Sequence, residues 1–122
     1  MSGPAGASLV DHRTDQGVEV LRVRAPELYR AEVLETLGRE LRRAIETSRG
    51  TRFVLDLAQV KFLTSAAIGL LINVQAHLAN LGYRFGVAGV SGEVASVFEY
   101  TRLRDVMPVY PTVADAVKAM KP

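Results

Sequence analysis

Three times between residues 51 and 120 a short apolar run gives way to a helical pattern, and this alternation limits the fold more than any other feature. Phe53, Val54 and Leu55 centre a buried strand over residues 51–57, and further strands are expected at 83–88 and 106–110. Helices are expected to follow each of them, at 64–81, 91–103 and 112–120. Gly82 ends the first of these, and Thr112 with Asp115 three residues on starts the last with a capping-box-like pattern. Strands separated by helices of this length pair in parallel through right-handed crossovers. Upstream, strands at 8–13 and 18–24 around Asp15-Gln16-Gly17 read as a hairpin. Between hairpin and repeat, a helix over 29–48 turns Val33, Leu34, Leu37, Leu41, Ala44 and Ile45 inward. Glu32, Glu35, Arg39, Glu40, Arg42, Arg43 and Glu46 take its outer face, which reads as solvated because both signs of charge interleave. The expectation is a single α/β domain over 8–122, with a mixed, mostly parallel sheet of about five strands and four helices, after a flexible tail at 1–7.

Composition narrows the function. A chain of 122 residues with 48% hydrophobic content has room for one core without metal or disulfide support. It has no cysteine, hence no disulfide, thiolate nucleophile or Cys-based zinc site, which fits a reducing cytoplasm. Fifteen Lys and Arg against thirteen Asp and Glu leave no nucleic-acid footprint. The first eight residues lack the features of a secretory signal, and Asn73, Gln75, His77 and Asn80 interrupt the stretch 62–82 well short of the ~20 apolar residues of a membrane span. A soluble chain without direct membrane insertion is expected. No catalytic, metal or cofactor site is expected either. His12 and His77 belong to no Ser-His-Asp or HExxH pattern, Gly86, Gly89 and Gly92 read as strand-end and turn residues, and Asp56 has no second acid near it in sequence. A solvent-facing or loop-capping role is expected for Asp56.

The helix over 64–81 carries the functional information. Placing its core on Ala67, Leu70, Leu71, Val74, Leu78 and Leu81 turns Ala66, Gly69, Asn73, Ala76 and Asn80 to the opposite side, between Ile68 and Ile72. That side has no charge. A small neutral face of this kind is either covered by a partner or buried more deeply within the domain. At its start, Thr64 or Ser65 offers a hydroxyl that can cap a free backbone N–H.

The stretch VLDLAQVKFLTSAAIGLLINVQAHLANLGYRFGVAGVSGEVASVFEYTRLRDVMPVYPTVADAV resembles the STAS domain family, which includes anti-sigma factor antagonists. Asp56-Leu57-Ala58, Phe62-Leu63 and Thr64-Ser65-Ala66-Ala67-Ile68-Gly69 stand where the family has its Asp-Leu-Ser strand end, hydrophobic pair and Asp-Ser-Ser-Gly-Leu-Gly loop. The resemblance implies that Ser65 is the serine phosphorylated by a serine-kinase-type anti-sigma factor, in a bacterial circuit of transcription regulation. The uncharged helix face makes Thr64, Ser65, Ala66, Gly69 and Asn73 the expected partner-binding surface. Thr64 replaces an acid of the family pattern, and Pro26-Glu27-Leu28-Tyr29 stands in place of Gly-Glu-Leu-Asp. The resemblance also admits a second partner, the ATPase of an ABC lipid or solute transporter, for which this chain would be a cytoplasmic accessory subunit.

Overall fold

Gln16 and Gly17 both take positive φ, 52° and 82°, a two-residue turn whose twist suits an antiparallel hairpin. In the computed structural model, which describes residues 8–122, it joins β1 (Val10–Asp15) to β2 (Val18–Val23). Asp15, expected in the turn, is the last residue of β1 and pairs with Val18. The tail expected at residues 1–7 lies outside the described residues.

From β2 onward the strands run parallel. β2 pairs with β4 (Arg52–Asp56), β4 with β6 (Arg84–Ala88) and β6 with β7 (Val109–Tyr110), giving the order β1-β2-β4-β6-β7. Four helices connect or follow them: α1 (Ala31–Thr47), α2 (Ser65–Asn80), α3 (Gly92–Tyr100) and α4 (Val113–Met120). The single α/β domain with a mixed, mostly parallel five-stranded sheet is therefore present as expected.

Alternation along the strands divides the interior between two faces. Leu21, Phe53, Leu55 and Val87 point to one side, where Leu37, Leu41 and Ile45 of α1, Ala67, Leu71, Val74 and Leu78 of α2, and Val94 and Phe98 of α3 close over them. Val18, Val20, Val54 and Ala88 point to the other, beneath Ala116, Val117 and Met120 of α4 alone.

Several boundaries move for local reasons. α3 stops at Tyr100, short of residue 103, because Arg102 enters the left-handed region at φ 59° and Leu103–Asp105 forms a 3₁₀ turn. The strand expected at 106–110 shrinks to two residues. Pro108 has no N–H to offer and contributes only its carbonyl, which accepts the Val87 N–H at 2.9 Å. Leu81, placed in the core by periodicity, is 48% exposed, since it lies past the last helical residue and just before Gly82 at φ 76°. Thr112 does cap α4, accepting the Asp115 N–H at 3.1 Å, while the Asp115 carboxylate bonds the Thr112 hydroxyl and leaves its backbone N–H.

One feature has no counterpart in the sequence pattern. β3 (Glu27–Leu28) and β5 (Phe62–Leu63) form a separate two-stranded parallel sheet, which ties the approach to α1 to the approach to α2.

Candidate functional site

The start of α2 is held from three sides. Upstream, Asp56 ends β4 only 4% exposed, its Oδ1 accepting the Ala58 N–H at 3.0 Å and its Oδ2 accepting Arg22 Nε–H at 3.3 Å. Asp56 is thus a buried loop cap, and the solvent-facing alternative falls. Beside this loop Gly89, at φ 80°, presses on Ala58 so closely that a Cβ there would meet the Ala58 backbone nitrogen at 3.1 Å. From the third side, Pro26 C=O accepts the N–H groups of Lys61 and Phe62, and Leu28 C=O accepts that of Thr64 at 3.1 Å.

The hydroxyls do not behave as the sequence suggested. Thr64 has the extended backbone of an N-cap, φ −107° and ψ 175°, yet its side chain makes no capping bond. Its Oγ1 donates back to Leu28 C=O at 3.4 Å, because the minisheet places that carbonyl behind it. Ser65 is the first helical residue, exposed, and its hydroxyl has no hydrogen-bond partner among the described residues. The expected hydroxyl cap is therefore absent at both positions, and the first N–H groups of α2 receive no side-chain acceptor from Thr64.

Along α2, Ala67, Leu71, Val74 and Leu78 are buried and Leu70 is half-buried, whereas Ala66, Asn73, Ala76 and Asn80 are exposed. Deeper burial within the domain is thereby excluded as the reason for their neutrality. Gly69 is half-buried, with nothing within 4 Å of the place a Cβ would occupy. Ile72 adds an apolar side chain at 38% exposure, so the face is less flat than its small residues imply. From Ser65 to Asn80 there is no Asp, Glu, Lys or Arg.

The structure adds two residues that sequence reasoning missed. Tyr29 follows β3 and Phe62 lies on β5, 48% and 41% exposed, edge to face with ring centroids 6.1 Å apart. Tyr29 is one of the positions where an acid of the family pattern is replaced. Its signal in the sequence was that substitution, but only the β3–β5 pairing brings it beside Phe62 at the entrance to α2.

Elsewhere, the histidines remain apart. His77 is exposed on α2, and His12 Nε2–H donates to Glu19 Oε1 at 2.6 Å. Burial is the largest influence on Glu19 and pushes its carboxyl up. Hydrogen bonds from His12 and Thr14, the nearby Ser48 hydroxyl and the charge of His12 together outweigh it and hold the group below its ordinary 4.5. Among the described residues no cluster of three His, Asp or Glu side chains is placed to hold a metal, and no helix is long and apolar enough to cross a membrane.

Comparison with known proteins agrees with this architecture. The STAS domain family matches residues 10–116. An anti-sigma factor antagonist from Mycobacterium paratuberculosis superposes with a TM-score of 0.82 at 24% identity, covering 100% of both chains. The Bacillus cell fate determinant SpoIIAA in its phosphorylated form gives 0.65 at 19% identity, over 90% of this chain and 97% of that one. The murine anion transporter Slc26a9 gives 0.73 at 18% identity, over 88% of this chain and 18% of its own. At these identities the likeness is one of fold.

Proposed function

This chain belongs to the STAS domain family, and from that premise we propose that it is a non-enzymatic, cytoplasmic interaction module that acts as an anti-sigma factor antagonist. It binds a serine-kinase-type anti-sigma factor through Thr64, Ser65, Ala66, Gly69 and Asn73. The observation that carries the reading is the exposed, uncharged face of α2, with the exposed Tyr29–Phe62 pair on the segments that lead into it. A helix face in water ordinarily carries charge, as the outer side of α1 does; a neutral one flanked by exposed aromatics suits an interface core. The two aromatics stand near positions where family members carry acids, so this partner's matching surface is apolar at that edge.

Ser65 is the switch. Its hydroxyl is exposed at the positive end of α2, where free N–H groups favour an anion. Phosphate there adds about −1.5 to −2 charge without melting the helix. The same charge is costly to desolvate against a neutral partner, so modification releases it.

Affinity capture from native lysate, followed by identification of the bound protein, tests this. Recovery of a kinase-like anti-sigma factor is expected, with binding weakened about tenfold or more by Ala66→Glu or Asn73→Glu in a folded protein. Ser65→Ala should bind constitutively and Ser65→Asp poorly. Mass spectrometry after incubation with partner and ATP should place phosphate on Ser65. Unchanged binding by both Glu variants removes the surface, and phosphate on Thr64 alone, or none with an active kinase, removes the switch. Capture of an ABC transporter ATPase would move the same surface to the accessory-subunit reading.

A further inference from the structure

β1 closes the sheet at one end, and among the described residues no strand pairs with its far side. Leu9 C=O accepts the Arg24 N–H across the hairpin, and bonded pairs alternate along an antiparallel ladder. Asp11, Arg13 and Asp15 therefore direct their main-chain groups at β2, while Val10, His12 and Thr14 direct theirs outward. Glu40 of α1 takes the Val10 N–H at 3.1 Å and closes that end. His12 and Thr14 remain exposed, and an open groove lined by His12, Glu40, Arg43 and Thr47 separates the strand from α1.

An edge of this kind templates pairing with another chain, and charged side chains ordinarily block it. On β1 the charges are self-complementary. A second copy running antiparallel about a two-fold axis through His12 sets Asp11 opposite the partner's Arg13, and Arg13 opposite the partner's Asp11. These fall at non-hydrogen-bonded positions, where facing Cα atoms approach to about 4.5 Å and side chains interact most strongly. A shift of two residues in either direction sets Asp11 against the partner's Asp11 or Arg13 against the partner's Arg13. A shift of one sets an outward residue against an inward one and breaks the ladder.

We infer that two copies of this chain associate edge to edge through β1, in this one register, to make a continuous sheet. His12 N–H donates to the C=O of the partner's His12, and Thr14 N–H to that of the partner's Val10, whose second lone pair holds the Ser8 hydroxyl at 2.9 Å, while the Val10 N–H stays with Glu40. The present pairs Arg24–Asp11 and Arg13–Asp15, at 3.1 and 3.3 Å, are exposed and cost little to rearrange. One short strand per copy buries little area, so the association is weak and shows at protein concentrations of about 0.1–1 mM.

Sedimentation equilibrium of the full chain over that range tests the inference. The unmodified protein should self-associate, and Asp11→Arg or Arg13→Asp should each weaken association about tenfold or more by placing like charges face to face. Combining both substitutions in one chain should restore it. An equimolar mixture of the two single variants should also associate, because every facing pair is then opposite in charge. Circular dichroism confirms that each variant is folded. A monomer throughout the range, a dimer indifferent to the single substitutions, or a mixture no more associated than its components would each overturn the inference.

Discussion

Glu19 is buried on β2, just past the hairpin turn, and its hydrogen bonds and the charge of His12 lower its carboxyl against the opposing effect of burial. Gly50 leaves the space it occupies, since a Cβ at that position would lie 2.5 Å from Glu19 Cγ. A carboxyl whose folded value lies below its unfolded one stabilises the fold above the unfolded value, and that contribution disappears as pH falls through the folded value. For Glu19 the unfolded reference is 4.5 and the shift is downward. Glu19→Gln should therefore cost about 1–2 kcal/mol at neutral pH, with the gap closing as pH falls below 4.5 and through the lower folded value. Urea unfolding of both proteins at neutral and acid pH measures it, and a gap of equal size at both would refute the assignment. At this scale the sequence was a poor guide. Thr64 and Ser65 stand where a capping hydroxyl belongs, but the Leu28 carbonyl, thirty-six positions away in the chain, redirects Thr64.

For α2 the decisive position is Gly69. Glycine inside a helix is less stable than alanine by about 0.5–1 kcal/mol, and no neighbour within 4 Å explains its presence here. Gly69→Ala should stabilise the isolated protein by about that amount in equilibrium unfolding while weakening partner binding, as the added methyl would enter the proposed docking face. Loss of stability would mean that the fold itself requires the glycine. Helices and sheet strands were legible because each repeats its apolar residues at its own period: Val33 to Ile45 for α1, Phe53 to Leu55 for β4. β3 and β5 were not, since two residues carry no period and their partner is distant in sequence. The same lack of long-range information hid the Tyr29–Phe62 contact and extended α3 past Arg102.

Across the whole molecule the two sheet faces are covered unequally. Three helices share one, whereas α4 supplies all the helical cover of Val18, Val20, Val54 and Ala88 on the other. Met120, 1% exposed near the end of α4, lies with its sulfur 3.5 Å from the place a Cβ on Gly86 would occupy. Met120→Ala should destabilise the domain by about 2–4 kcal/mol in denaturant unfolding, as expected for a buried large-to-small change. A cost below about 1 kcal/mol would show that α4 frays without consequence for the sheet. At the opposite end of the molecule, the main-chain bonds from Lys61, Phe62 and Thr64 to Pro26 and Leu28 leave the entrance of α2 little freedom. If Ser65 is modified as proposed, the modifying enzyme would meet a folded surface assembled from two distant parts of the chain. Its specificity would then reside in shape, and a linear peptide spanning FLTSAAIG would carry the proposed acceptor without the features by which it is found.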